Sequence, residues 1–296
     1  MDSILAPTVT DYAMTDAFLK ECAAAEPRFS RLTVGYSLFG REITAMKIGS
    51  GKKNVLFVGT HHGSEWMTAW ILLRMLSEIV LSLRKSGRIG GLYLPRLFGE
   101  RTIYFLPLLN PDGAELSIHG LSDDCVLHDR LLKMNGNDSD FTHWQANGRG
   151  VDLNHNYDAG FLAYKPMEKS LGITDGCRSR YSGPYPESEP ESHALAGFVR
   201  TLRPAYLLTL HSQGEEVFCS PSARPYADAF CRLSGYTVSV AEGSAAYGGL
   251  SDWAGGLLGI PSLTIECGKG ENPLPVSAFR KVYLGLRKAL FAAMAL

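Results

Sequence analysis

The sequence lacks an excess of either charge: 29 lysines and arginines stand against 30 aspartates and glutamates, a formal net charge of -1. That balance excludes the basic field with which proteins hold nucleic acid or anionic lipid, so neither is expected as a partner. The opening, MDSILAPTVTDYAMTD, lacks the basic-then-apolar order of a secretory signal. The most apolar helical stretch, residues 66–83, is broken by Arg74 and Glu78, so no membrane span is expected. Cysteines are sparse, six in 296 residues, and none form a CxxC pair. This argues against a disulfide scaffold and, with the missing signal, predicts a reducing, cytoplasmic setting. Each cysteine reads as a buried thiol, with Cys267 notable because it adjoins Glu266.

Internal repeats, low-complexity tracts and an interdomain linker are missing too. One domain over residues 1–296 is expected, with residues 1–15 as a candidate N-terminal extension. Hydrophobic residues make up 45% of the chain and charged residues 20%, enough apolar surface for a sizeable core. Strand-length apolar runs alternate with longer amphipathic stretches, which predicts an α/β sheet with helices on both faces. Strands are expected at 32–36, 43–48, 54–58, 102–106, 206–210, 237–240 and 262–265. Helices are expected at 16–25, 65–83, 189–202, 226–233, 252–257 and 276–295. Ser188 with Glu191 reads as a capping box, and Pro204 follows the end of that helix. Residues 122–186 are polar and rich in Gly, Asn, Asp and Ser, so they read as long functional loops.

Two strand ends carry candidate chemistry. The run NVLFV leads into GTHHGSEW, placing His62 and Glu65 three residues apart on a tight turn. A catalytic zinc takes three His or Glu ligands and keeps a fourth position for water, so a third ligand must come from elsewhere. The run YLLTL ends in His211, and two strand ends can meet on one sheet edge however far apart they lie in sequence. A single histidine more often packs or hydrogen-bonds than binds metal. His61 fits that reading, because only His62 has the three-residue step to Glu65. At the end of SLTI stands Glu266, a carboxylate that is costly there without a role.

Taken in order, GTHHGSEW, NPDG (110–113), GVDLNHNYDAGF (150–161), His211 and TIECGKGENPLP (264–275) resemble the carboxypeptidase A-like zinc peptidases over residues 31–290. The resemblance implies a mixed eight-stranded sheet flanked by helices and one catalytic zinc ion. It also implies His62, Glu65 and His211 as ligands, Glu266 as general base and a peptide substrate.

The chain departs from that pattern where the family binds a terminal carboxylate. An Asn-Arg pair is the family's device, and here it reads Asn154-His155, without the permanent bidentate charge of guanidinium. The family's oxyanion arginine aligns with Gln145, after Trp144, and Arg149 is a candidate replacement. Tyr247, beside Gly248-Gly249, is the candidate for the substrate-covering tyrosine. With HSQGEEV and GPYPESEPES, these departures are similar to a bacterial subgroup that cuts the γ-D-glutamyl-meso-diaminopimelate bond of peptidoglycan stem peptides. That likeness implies muropeptide substrates, met inside the cell, with Arg178, Arg180 and Glu215 or Glu216 as candidate contacts. A conventional carboxypeptidase, a zinc amidohydrolase of N-acyl amino acids and an inactive binding protein are the competing readings.

Overall fold

A computed structural model describes residues 9–296. Ten strands follow in chain order: β1 (Phe29–Tyr36), β2 (Glu42–Gly49), β3 (Lys53–Gly59), β4 (Arg88–Ile89), β5 (Leu92–Tyr93), β6 (Arg101–Leu106), β7 (Tyr206–His211), β8 (Glu216–Cys219), β9 (Thr237–Val238) and β10 (Ser262–Glu266). Eight of them form one sheet in the order β1-β2-β6-β3-β7-β10-β8-β9, and β4 with β5 makes a separate ribbon. β6, β3, β7 and β10 run parallel, whereas β2 joins β6, and β8 joins β10, antiparallel. The expected mixed eight-stranded sheet is therefore present. All seven expected strands occur, and the unexpected eighth is β8. Its four residues are too short for an alternating pattern and follow a Ser-Gln-Gly-Glu run that reads as turn.

The helices are α1 (Tyr12–Ala25), α2 (Met67–Leu83), α3 (Leu94–Glu100), α4 (Pro111–His119), α5 (His128–Met134), α6 (Phe161–Ser170), α7 (Pro190–Leu202), α8 (Arg224–Ser234), α9 (Leu250–Gly256) and α10 (Phe279–Ala293). Three expectations need correction. The proposed extension 1–15 runs into α1, because Asp11 caps that helix by accepting a hydrogen bond from Met14 N; residues 1–8 lie outside the described residues. The segment 122–186 is not all loop. It holds α5 and α6, which are short, and α6 is disguised by an internal Pro166 and a left-handed Gly160 at its start. The capping box is absent as well. Glu189 is the residue before α7, and Glu191 instead accepts Leu38 N at 3.0 Å and Asn147 Nδ2 at 3.0 Å.

Side-chain alternation splits the core across the sheet. On β3, Val55 and Phe57 pack with α1, α2, α8 and α10, while Leu56 and Val58 pack with α7 and α9. With its flanking turns α2 forms a helical stretch, Gly63–Arg84, long and apolar enough to cross a membrane by length and composition, but 72% of its apolar window is buried inside the protein. Arg74 and Glu78 share an ion pair at 3.3 Å on its outer side, and Arg287 of α10 joins Glu78 at 2.6 Å.

The motif NPDG positions the loops at the carboxyl ends of the parallel strands. Asn110 is fully buried at the start of α4, where its Oδ1 accepts Gly113 N. Its Nδ2 lies 2.9, 3.2 and 3.1 Å from the carbonyls of His61, Gln145 and Ala146. One amide thus joins the HHGSE turn to the loop after Trp144. Gly63 is needed in the same knot, since a β-carbon there would stand 2.3 Å from the Gly113 carbonyl oxygen.

Replacing Asn110 with Ala leaves several buried backbone groups unpaired, and unfolding free energy should fall by about 2 kcal/mol or more. Urea unfolding should give a lower midpoint at unchanged slope; an unmoved midpoint would remove Asn110 from this role. Glu191 tests pH linkage. Burial pushes its carboxyl up to about 7, so between the ordinary carboxylate range and that value the folded chain binds more protons than the unfolded one. Stability from this group is full at low pH and is lost as pH rises through 7. Between pH 5 and 8 the wild type should lose roughly 3 kcal/mol relative to Glu191→Gln. Parallel stability curves for the two proteins would contradict this.

Candidate metal centre and substrate cleft

β3, β7 and β10 are neighbours in the sheet, and each delivers candidate residues at its carboxyl end. After β3 the chain turns through His62 and a single 3-10 turn, Gly63–Glu65, into α2. β7 ends on His211 and β10 on Glu266, and these two residues are paired in register. Parallel topology therefore brings together groups far apart in sequence, at the strand ends where open α/β sheets place ligands.

His62, Glu65 and His211 converge. His62 Nδ1 lies 3.0 Å from Glu65 Oε1 and 3.3 Å from His211 Nδ1, and His211 Nδ1 lies 3.0 Å from Glu65 Oε2. His62 Nε2 lies 3.1 Å from Asp152 Oδ1. An ionised carboxylate can only accept, so Nε2 carries a proton, and Nδ1 is the nitrogen left to offer a lone pair to a metal once it gives up its own proton. Two imidazole lone pairs at 3.3 Å repel unless a cation or proton lies between them. Tetrahedral coordination at zinc–nitrogen distances of about 2.0–2.1 Å separates two nitrogens by roughly this much. Glu65 Oε2 is buried without an aligned hydrogen bond, as befits an oxygen whose partner is a cation. The donor set and its spacing fit a zinc ion.

The charges in the cluster perturb one another strongly. Burial opposes charge on His62, but Glu65 and Asp152 outweigh it and hold its pKa well above the ordinary range. Burial likewise opposes ionisation of Glu65, yet His62 and His211 bring it down to about 2. Asp152 is held far below the carboxylate range against its own burial, chiefly by His62 and His155. For Glu266 burial dominates and Glu65 adds repulsion, so its carboxyl lies well above the ordinary value. His61 is fully buried, 3.2 Å from the Tyr157 hydroxyl and 3.2 Å from Thr209 Oγ1, and is held neutral by desolvation. It packs beside the cluster, as expected from its register.

A cleft of about 690 Å³ opens over this cluster, with His62, His211 and Glu266 in its wall. Asn154 and His155 line it. Asn154 Oδ1 accepts Leu250 N at 3.2 Å, so its Nδ2 donors remain for a ligand. His155 Nδ1 lies 2.8 Å from the Tyr247 carbonyl and its ring stacks on Tyr164, centroids 4.5 Å apart. Arg180 also lines the cleft. Its backbone is left-handed, at φ 67°, and is held on both sides: its N–H donates to Asp152 Oδ2 at 2.9 Å and its carbonyl accepts the Tyr164 hydroxyl at 2.8 Å.

Other expected residues are not brought to the cleft. Arg149 turns away, with Nη1 3.6 Å from the buried Glu189 carboxylate, so it is not the replacement cation. Arg178 is exposed outside the cleft wall, and its carbonyl accepts Gln145 N and Ala146 N. Tyr247 packs its ring on Tyr164 and over Gly160 instead of facing the metal cluster. Glu215 pairs with Lys269 at 3.2 Å. Glu216 pairs with Glu266 across β8 and β10, within reach of its charge.

Sequence reasoning missed several residues. Asn272 sits within the TIECGKGENPLP segment, and its Nδ2 donates to Glu65 Oε1 at 3.3 Å and to the Ser212 carbonyl at 2.5 Å, steadying the carboxylate between the two histidines. No periodicity marks such a loop residue. Thr264, Ser251, Asp252 and Arg224 line the cleft beyond Glu266. For Thr264 a signal existed, because a strand repeats its face every two residues.

Comparisons with known proteins agree with this geometry. The family model described as zinc carboxypeptidase matches residues 15–232. A gamma-D-glutamyl-L-diamino acid endopeptidase 1 from Lysinibacillus sphaericus is 31% identical over 279 residues, covering 92% of this chain and 69% of that one. The uncharacterized protein YqgT of Bacillus subtilis (strain 168) is 30% identical over 294 residues, 97% of this chain and 77% of that one. Among solved structures, the carboxypeptidase A from Helicoverpa armigera superposes with a TM-score of 0.73 at 20% identity, over 98% of this chain and 74% of that one, a likeness of fold. With a family match over most of its length, the same fold and a donor set suited to zinc, this chain belongs to the zinc carboxypeptidase family of metallopeptidases.

Proposed function

We propose that the protein hydrolyses the amide between the γ-carboxyl of D-glutamate and a diamino acid, diaminopimelate, in peptidoglycan stem peptides. The observation that carries the catalytic part is the convergence of His62, Glu65 and His211 beside Glu266 in one cleft. The relative that is 31% identical acts on a gamma-D-glutamyl-L-diamino acid bond by its name, and this supports the substrate.

In this reading His62 Nδ1, His211 Nδ1 and a Glu65 carboxylate oxygen hold the ion. A bound zinc supplies Lewis acidity, lowering the pKa of water toward neutrality and polarising the scissile carbonyl. Asp152 keeps His62 in the tautomer that can bind, and Asn272 restrains Glu65. Glu266 takes the proton of the attacking water and returns it to the leaving amine of the diamino acid. Asn154 Nδ2 and the guanidinium of Arg180 receive the carboxylate next to that amine. Arg180 thus does the work that Asn154-His155 cannot do as a pair, because His155 spends Nδ1 on the Tyr247 carbonyl and its ring on Tyr164.

His62→Ala and His211→Ala should lose most of the zinc, since two ligands do not hold the ion against water, whereas His61→Ala should keep it. Asp152→Asn should weaken zinc affinity by about 10–100-fold. Elemental analysis and competition with a chelator decide; retention of zinc in both histidine variants would overturn the ligand set. Glu266→Gln should keep its zinc while kcat falls by about two to four orders of magnitude. Near-normal turnover in that variant would remove Glu266 as the base. On L-Ala-γ-D-Glu-meso-diaminopimelate the wild type should release diaminopimelate, identified by mass spectrometry. A preference for a hippuryl-type carboxypeptidase substrate would return the chain to ordinary C-terminal cleavage.

A further inference from the structure

The chain is not released from the metal cluster where β10 ends on Glu266. Cys267 N donates to the carbonyl of His211 at 2.8 Å and Gly268 N to the Tyr236 hydroxyl at 2.9 Å, while Leu274 is buried in the core. Residues 267–274 therefore form a strap that leaves the sheet beside one cluster histidine and is tied down again at its far end. Asn272 stands in this strap, and contacts on three of its atoms fix it. Its Oδ1 accepts the Ser212 hydroxyl at 2.8 Å, its Nδ2 donates to the Ser212 carbonyl at 2.5 Å, and its own carbonyl lies 2.6 Å from His143 Nδ1. A hydroxyl and a carbonyl of one residue thus distinguish the two ends of the amide, so the NH2 end and not the oxygen is turned to the cluster. A backbone carbonyl can only accept, so His143 carries its proton on Nδ1.

The two oxygens of Glu65 are made unequal by this strap. Oε1 has the Asn272 amide at 3.3 Å and the His62 ring at 3.0 Å. Oε2, 3.0 Å from His211 Nδ1, is buried with no aligned hydrogen bond. A carboxylate can close on a cation with one oxygen or with both. Here one oxygen is engaged by a fixed N–H donor and the other is bare in a place water does not reach, so the bare one is left to a cation.

We propose that Asn272 is a positioning residue that makes Glu65 a one-oxygen ligand, with Oε2 toward the zinc ion and Oε1 kept for the amide, and that Ser212 and His143 hold Asn272 to this task. A carboxylate that uses one oxygen leaves more of the ion open to the attacking water and the scissile carbonyl. The inference rests on the zinc-ligand reading above and adds to it the residue that sets how the carboxylate ligand binds. It also gives a role to His143, which is exposed and stands outside the cleft wall.

Cobalt(II) in place of zinc tests it, because the visible absorption of cobalt weakens as the number of donor atoms around it rises. Asn272→Ala frees Oε1 to join the ion, so its visible band should be weaker than that of the wild type. Its zinc affinity, measured by competition with a chelator, should fall about tenfold. His143→Ala should weaken the band in the same direction and zinc affinity by about threefold, the effect of one hydrogen bond lost at an exposed position. His143→Asn, which can donate to the same carbonyl, should restore both. An Asn272→Ala band equal to that of the wild type overturns the assignment, whether or not affinity falls, because general loosening of the fold lowers affinity without adding a donor. Should Asn272→Ala fail to fold, the two His143 variants decide: a band weakened in His143→Ala and restored in His143→Asn supports the assignment, and bands equal to the wild type in both overturn it. If the wild type itself takes up neither cobalt nor zinc, the ligand set fails and the inference falls with it.

Discussion

The contact between His62 Nε2 and Asp152 Oδ1 is the interaction on which the site depends. It fixes which nitrogen of His62 carries a proton and so which one is free for a metal. Asp152 can do this because its other oxygen is held by Arg180 N and because it opens the one-turn helix Leu153–His155. One carboxylate therefore couples the metal turn after β3, the GVDLN segment and the loop that carries Arg180. The metal-cluster and cleft-lining residues share a single support, so moving any of the three segments disturbs the other two.

The cost of this arrangement is visible in its charges. Glu65, Asp152 and Glu266 are gathered at one sheet edge with two histidines, and burial raises the price of every ionised group among them. Glu65 and Asp152 stay ionised because imidazoles face them, whereas Glu266 faces Glu65 and Glu216 and is pushed toward its protonated form. Glu65, in the turn after β3, and Glu266, at the end of β10, are thus driven to opposite behaviour, one as a constant anion and the other as a group that exchanges protons. That division suits a ligand and a base respectively.

The cleft divides along its length for a similar reason. Near the cluster it is polar, with Asn154 and Arg180, and farther along it turns apolar before ending in Asp252 and Arg224. A guanidinium comes to the cleft wall from a segment other than the Asn154 turn. Arg180 reaches the cleft only because its backbone takes a left-handed conformation pinned on both sides. His155, beside Asn154 in the cleft wall, stacks on Tyr164.

The sequence by itself determined the parts governed by local chemistry. Strand-ending histidines, the His62–Glu65 step, the apolar run into Glu266 and the ordered motifs were all legible, because period, turn residues and ligand spacing are properties of short segments. The order of strands and helices was legible for the same reason, except where β8 was too short and α6 was hidden by Pro166. Only the tertiary structure decided which of the three loop arginines lines the cleft. Arg149, Arg178 and Arg180 lie on one polar stretch with no periodicity to rank them, and their fates turned on contacts with Glu189, with solvent and with Asp152. It alone also brought Arg224, Asp252 and Thr264 into one wall, since α8 packs on β8, β8 pairs with β10 and α9 packs on β10, contacts that no local pattern encodes.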